Sequence, residues 1–228
     1  MTLAEKAYEN LRRDIVRGAF GQGMPLRLSD LGARYGMGFS PLREALNRLQ
    51  AERLVTAESL RGFRVAPLSA PEFEDALQTR LLIETTALRA SIALGDDDWA
   101  AGIVSSLYAL KLQADRRDKG GDLWDLEARH HTFHRALLAA CGSVWTLDFF
   151  ERLYAATERY RLPALALAEG RDRRDIQGEH SALAEAALAR DADRAVELLQ
   201  QHYLRTAVTI RARMGGGMAP AVLASHSA

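Results

Sequence analysis

Cysteine is almost absent from this chain, since Cys141 is the only one among 228 residues. One thiol cannot build an internal disulfide framework or a zinc site of paired cysteines, and it suits a reducing compartment. Long apolar runs are missing too: none approaches the roughly eighteen residues of a membrane span. Met1 to Asn10 hold no basic region followed by an apolar run. Neither a membrane span nor a secretion signal is therefore expected, and the protein reads as cytoplasmic. Net charge is lacking as well, because thirty basic and thirty acidic residues cancel. Taken whole, that balance argues against nucleic acid, whose partners usually carry a basic surplus that neutralises phosphates.

What is present is an ordinary globular composition, 48% hydrophobic and 26% charged, long enough for one larger domain or two small ones. Apolar residues recur at three- and four-residue spacing, and alternating runs are nearly absent, so the fold class is mainly α. The exception is Leu54 to Ala57 and Gly62 to Ala66, two short extended pieces that read as a hairpin around a polar tip with Arg61. Pro67, Ser69 and Pro71 then punctuate the chain. The reading divides it into residues 1–68, residues 69–214 and a disordered tail over 215–228 that includes His226. Residues 1–66 hold eleven basic against seven acidic residues, a charge of +4 that leaves −4 for the remainder. Neutrality is a sum over unlike halves, a pattern that accompanies nucleic-acid partners.

Ala7, Leu11 and Ile15 mark a first helix ending at Gly18, and a loop through Gly21, Gly23 and Pro25 follows. A short helix from about Ser29 to Tyr35 stops at Gly36. Ser40 and Pro41 then look like the N-cap and first position of another helix. Leu42, Ala45, Leu46 and Leu49 form its apolar stripe, while Ser40, Arg43 and Asn47 face elsewhere. Two short helices joined by a glycine turn, with the hairpin behind them as a wing, make a winged helix-turn-helix. Its second helix would enter a major groove, where arginine pairs with guanine and backbone amides hold phosphate.

Residues 72–214 read as about six helices in an antiparallel all-helical bundle, broken near 95–98, 119–121, 141–143, 169–170 and 191–193. Five of the six histidines fall between 130 and 202. His130 and His134 are four apart, so they share a helix face and can chelate one divalent ion. His180 and His202 each lie eleven residues from Asp191, so a hairpin folded there brings both imidazoles to one height. Taken singly, each is an ordinary surface or core histidine. Together the spacings favour convergence on zinc, nickel, iron or manganese. His131 points about 100° away from His130 and reads as a bystander.

The run Ser40-Pro41-Leu42-Arg43-Glu44-Ala45-Leu46, with Arg48-Leu49, Leu54-Val55 and Arg61-Gly62-Phe63-Arg64-Val65, resembles the winged helix of GntR-type bacterial transcription regulators over residues 3–70. That resemblance implies DNA contacts at Ser40, Arg43, Gly62 and Arg61, to which the helix face adds Asn47. Gly38 and Phe39 occupy the places where the family usually has a hydroxyl residue and an arginine. The segment His130-His131-Thr132-Phe133-His134-Arg135-Ala136-Leu137, then Ala140-Cys141-Gly142-Ser143, His180 and His202, is similar to the FadR-like branch with the all-helical FCD ligand domain. The branch implies a metal held by three histidines and an aspartate, with His130 standing where that aspartate is expected. Asp125 and Glu127 lie off that face and make poor substitutes. The resemblance also places Arg80 in the pocket to receive a carboxylate and Ser143 where an asparagine often lines it. Arg80 and Glu84 read equally well as an intrahelical ion pair.

These readings converge on a homodimeric, ligand-responsive regulator, a repressor of a metabolic operon that binds double-stranded operator DNA. It would sense a small organic acid at a metal-centred pocket, with zinc the first expectation. A metal-dependent hydrolase or lyase is the rival, weakened by the lack of a general base, a His-Glu-x-x-His run or a Gly-x-Ser-x-Gly elbow. A purely structural metal is the third.

Overall fold

The computed structural model describes residues 1–58, 62–117, 120–166 and 174–215. Arg61 at the wing tip, His226 and the tail expectation from residue 216 onward lie outside them. The described residues are mainly helical, with nine helices and one small sheet. The chain divides into two compact units.

The first unit comprises Met1–Phe73 with Ala155–Leu165 and the chain from Arg211. Helix α1 (Leu3–Val16) opens on a capping box, in which the Thr2 hydroxyl accepts from the Glu5 amide and the Glu5 carboxylate accepts from the Thr2 amide. Strand β1 (Pro25–Leu26) precedes α2 (Leu28–Tyr35). Gly36 ends α2 in the left-handed region at φ 63°, where a side chain would be strained. Helix α3 (Phe39–Ala51) follows. It begins two residues earlier than its sequence suggests, because extended Gly38 takes the N-cap position without a side-chain bond. Ser40 is thus inside the first turn, and Pro41 is tolerated there because first-turn amides have no helical acceptor.

Leu42, Ala45, Leu46 and Leu49 are fully buried beside Ala7, Leu11 and Ile15 of α1. Strands β2 (Val55–Glu58) and β3 (Gly62–Val65) form the expected hairpin. The sheet order is β1-β3-β2, all antiparallel, with Pro25 opposite Arg64. The third strand was not anticipated, since two residues are too few to show an alternating pattern. Arg159 donates to the carbonyls of Ala66 and Arg53, and Glu158 pairs with Arg12.

The second unit comprises Glu74–Tyr154 and Ala166–Ile210. It draws on α4 (Ala70–Leu94), α5 (Asp97–Arg117), α6 (Leu123–Leu138), α7 (Val144–Ala166), α8 (Ile176–Leu188) and α9 (Ala192–Gly215). The helices break near 95–96, 120–122, 139–143 and 189–191, where glycine and aspartate stand, and the expected break at 169–170 lies outside the described residues. Phe133, Leu137, Leu138, Ile103, Leu88, Phe150 and Leu183 form its core.

One side chain fixes the α8–α9 turn. Arg190, at φ 62°, donates to the carbonyls of Ile92 (2.7 Å) and Gly95 (2.8 Å), and its guanidinium lies 4.8 Å from the Trp99 ring centre. Those carbonyls belong to the end of α4, where helical acceptors have run out. Gly95 cannot carry a side chain, because a Cβ would meet Trp99 at 2.4 Å. The turn that brings α8 beside α9 is therefore tied to the end of α4. No helix among the described residues is long and apolar enough to cross a membrane.

Candidate functional site

Four histidines meet inside the second unit. His130 and His134 come from α6, His180 from α8 and His202 from α9, each offering a ring nitrogen within 4.8 Å of the others. The His180 and His202 ring centres are 4.7 Å apart across the turn at Asp191, and those of His130 and His134 are 4.4 Å apart along one helix face. His134, His180 and His202 are buried, and His130 is nearly so.

Three of the rings are held from behind. Tyr154 donates its hydroxyl proton to Glu127 (2.6 Å), so its oxygen accepts from His130 Nδ1 at 2.7 Å. Tyr203 donates likewise to Glu84, and its oxygen lies 3.3 Å from His134 Nδ1. His202 Nδ1 donates to Glu179 Oε2 at 2.9 Å. Each bond places the ring proton on Nδ1 and turns an Nε2 lone pair inward, the arrangement that orients metal-ligating histidines. Burial drives the His180 and His202 pKa values down, so both are neutral donors. Burial alone would raise the Glu179 carboxyl, but Arg174, His202 and Arg205 carry it well below the usual range.

Two observations test whether this donor set fits a metal ion. The Nε2 atoms of His130 and His134 stand 3.1 Å apart. With both protons on Nδ1, two lone pairs face each other and repel unless a cation lies between them. Ligands of one ion with metal–nitrogen bonds of about 2.0–2.1 Å take a similar spacing. His180 Nε2, moreover, is buried with no hydrogen-bond partner among the described residues, a costly state unless an ion satisfies it. The cluster can hold a divalent metal.

The other expected pocket residues fall as follows. Arg80 is buried, with Nε 2.6 Å from Glu84 Oε1 and Nη2 3.0 Å from the Tyr203 hydroxyl. It is both the intrahelical partner of Glu84 and a neighbour, through Tyr203, of His134. Ser143 accepts from the Thr146 amide and hydroxyl at the start of α7. His131 bonds to Glu151 at 2.7 Å, outside the four. Glu127, off the face shared by His130 and His134, is buried and reaches His130 through Tyr154. Spacing did not reveal Tyr154, Tyr203 or Glu179. A glutamate beside His180 and a tyrosine beside His202 were the available signals.

In the first unit Ser40, Arg43 and Asn47 are exposed on α3, as is Gly62 at the start of β3. Arg43 and Gly62 also line an open groove of about 620 Å³ with Arg27, Ser29 and Arg64. Arg27 precedes α2, and Arg64 Nη1 donates to the Gly23 carbonyl at 3.0 Å. Three guanidinium groups thus gather around a groove reached by the N-terminal half of α3, a surface suited to phosphate.

The chain matches the FCD domain over residues 75–205 and the bacterial regulatory proteins of the gntR family over residues 3–65. It belongs to the GntR family. Among curated relatives, this GntR regulator is 41% identical to the HTH-type transcriptional repressor GlaR of Escherichia coli (strain K12), over 92% of this chain and 96% of the relative. It is 40% identical to the uncharacterized HTH-type transcriptional regulator BphR of Paraburkholderia xenovorans (strain LB400), over 92% and 86%. Among solved structures, E. coli McbR/YncC shares the fold with a TM-score of 0.76 at 17% identity, covering 94% of this chain and 99% of that one. The chain is a GntR-family transcription regulator with an FCD domain, not an enzyme. GntR regulators bind operator DNA, and FCD domains bind small-molecule effectors.

Proposed function

We propose that this GntR regulator is a cytoplasmic homodimer that represses a metabolic operon and senses a small organic acid at a metal ion held by His130, His134, His180 and His202. The observation that carries the reading is the set of inward-turned imidazoles, three of them backed by a carboxylate directly or through a tyrosine hydroxyl. A divalent ion, zinc first among the candidates, supplies a Lewis-acidic seat for a carboxylate. Arg80 offers a planar fork beside that seat, and an incoming carboxylate competes there with Glu84. Tyr203 holds Arg80, Glu84 and His134 in one network. Changing Arg80's partner is therefore felt by a metal-binding ring. An effector alters operator affinity only to the extent that it binds the two arrangements of the repressor with different free energies. Ser40, Arg43 and Asn47 on α3, with Gly62 and Arg61 of the wing, contact the operator.

Four imidazoles fill a tetrahedral zinc shell, which supports a second reading in which the ion is structural and an acid binds only if coordination expands. Metal analysis of the purified protein, then a thermal-shift screen of sugar acids, hydroxy acids, dicarboxylates and amino acids, separates the two. The expected result is about one metal ion per chain and an acid that raises the melting temperature of the loaded protein but not of His134→Ala. An acid response that survives in His134→Ala overturns the metal-centred pocket. A metal-loaded protein that answers no acid leaves the structural role.

A further inference from the structure

We propose that Phe39, the first residue of α3, selects a thymine in the operator by packing its ring on the C5-methyl group that thymine presents in the major groove. The proposal rests on the reading above in which α3 enters that groove, and it gives one base of the sequence recognised there. Phe39 is 59% exposed, and among the described residues of the first unit it is the only aromatic side chain left exposed. The apolar stripe of α3, Leu42, Ala45, Leu46 and Leu49, does not include it. The ring is nonetheless held. A Cβ on Gly32 would stand 3.6 Å from Phe39 Cε1 and 3.2 Å from the Met37 carbonyl oxygen, so one edge of the ring rests on α2 with no side chain between them. A glycine inside a helix costs stability relative to alanine. Here it admits the ring edge and the Met37 carbonyl. Gly38 adds no side chain beside the ring, and the space where its Cβ would stand is open. Phe39 is thus an apolar surface fixed at one edge and open elsewhere, which lowers the entropy lost when it binds.

Its neighbours and its chemistry identify the occupant. Phe39 and Arg43 are four apart on one helix, so ring and guanidinium share a face. Arg43 also lines the groove with Arg27 and Arg64, a cationic setting that favours DNA over an apolar protein partner. The first turns of a recognition helix are the part that reaches base edges. There guanine, cytosine and adenine offer donors and acceptors, and a phenylalanine ring can answer none of them. The thymine methyl is the one apolar group that the four bases display in that groove. Setting the ring on any other base strips water from a polar edge and returns no hydrogen bond. Four residues of helix rise about 6 Å against about 3.4 Å per base pair, so the thymine lies within about two base pairs of the base met by Arg43.

The test uses an operator selected from random DNA by the wild-type chain, with each thymine replaced in turn by deoxyuridine. Deoxyuridine lacks only the methyl group and keeps every hydrogen-bonding atom. In mobility-shift titrations at one salt concentration, loss of the methyl at the thymine read by Phe39 should weaken wild-type binding about fourfold. The same replacement should leave Phe39→Ala binding unchanged. Phe39→Arg, put through a fresh selection, should exchange that thymine for guanine. Circular dichroism checks that both variants keep the wild-type helix content. A wild type indifferent to every thymine methyl, or a methyl that counts equally in Phe39→Ala, overturns the assignment of Phe39, and so does a Phe39→Arg chain that selects the wild-type sequence. In each of those cases a loss of operator affinity in Arg43→Ala leaves α3 as the reading helix. If Arg43→Ala and Phe39→Ala both bind the operator as the wild type does, α3 is not that helix and both readings fall.

Discussion

An aspartate ligand would bring a negative charge to the metal, and His130 brings none. The surroundings compensate one layer out, where Glu127, Glu84 and Glu179 stand behind three of the four rings. In the proposed site, carboxylate charge would lie not in the ligand shell but in the groups that orient it. Tyr203→Phe removes the hydroxyl that joins His134 to Glu84 and Arg80. It should weaken metal binding about ten- to a hundredfold, read by competition against a chromophoric chelator. Acid should act on the metal-free protein through His180 and His202. Both have depressed pKa values in the folded chain and ordinary ones when unfolded. At pH above about 6.5 neither state is protonated and stability is full. As pH falls below that, the unfolded chain takes protons that the folded chain refuses. Stability is then lost at up to about 1.4 kcal/mol per pH unit for each histidine. The melting temperature of chelated protein should therefore drop between pH 7 and pH 5. The four histidines were legible in the sequence because a helix face and a symmetric turn fix their relative positions. Their supports were not, since Tyr203 and Glu84 are 119 residues apart and only packing joins them.

Helix α3 shows what its apolar stripe secures. Leu42, Ala45, Leu46 and Leu49 are wholly buried, and Arg43 and Asn47 are displayed because those four face inward. Leu46→Ala should cost about 2–5 kcal/mol in a urea titration followed by circular dichroism, through lost burial and the cavity left behind. The stripe was readable from periodicity alone. The start of α3 was not, because Ser40 and Pro41 suit a cap and a first position so well that they mask Gly38. The backbone settles the matter, with Gly38 extended and Phe39 already helical. Strand β1 escaped for a different reason, since its two residues acquire strand character only by pairing with β3.

At the scale of the whole molecule, the zero net charge becomes a statement about affinity. The N-terminal 66 residues carry +4 and the remainder −4. A fragment with that small surplus gains little from counterion release on random DNA. Discrimination must then rest on a few contacts. Arg43→Ala should accordingly reduce operator affinity by about 1–3 kcal/mol, roughly fivefold to 150-fold, in a mobility-shift titration at fixed salt. Binding to unrelated DNA should change much less. The pairing of Pro25 with Arg64 has a consequence of another kind. The segment between these two residues contains both helices of the helix-turn-helix, so β1 and β3 close a loop around them. Closing a long loop costs chain entropy that only contacts formed within it repay. The β1–β3 pairing is therefore expected to form late in folding, after α2 and α3 have packed, so that the DNA-binding face is completed last.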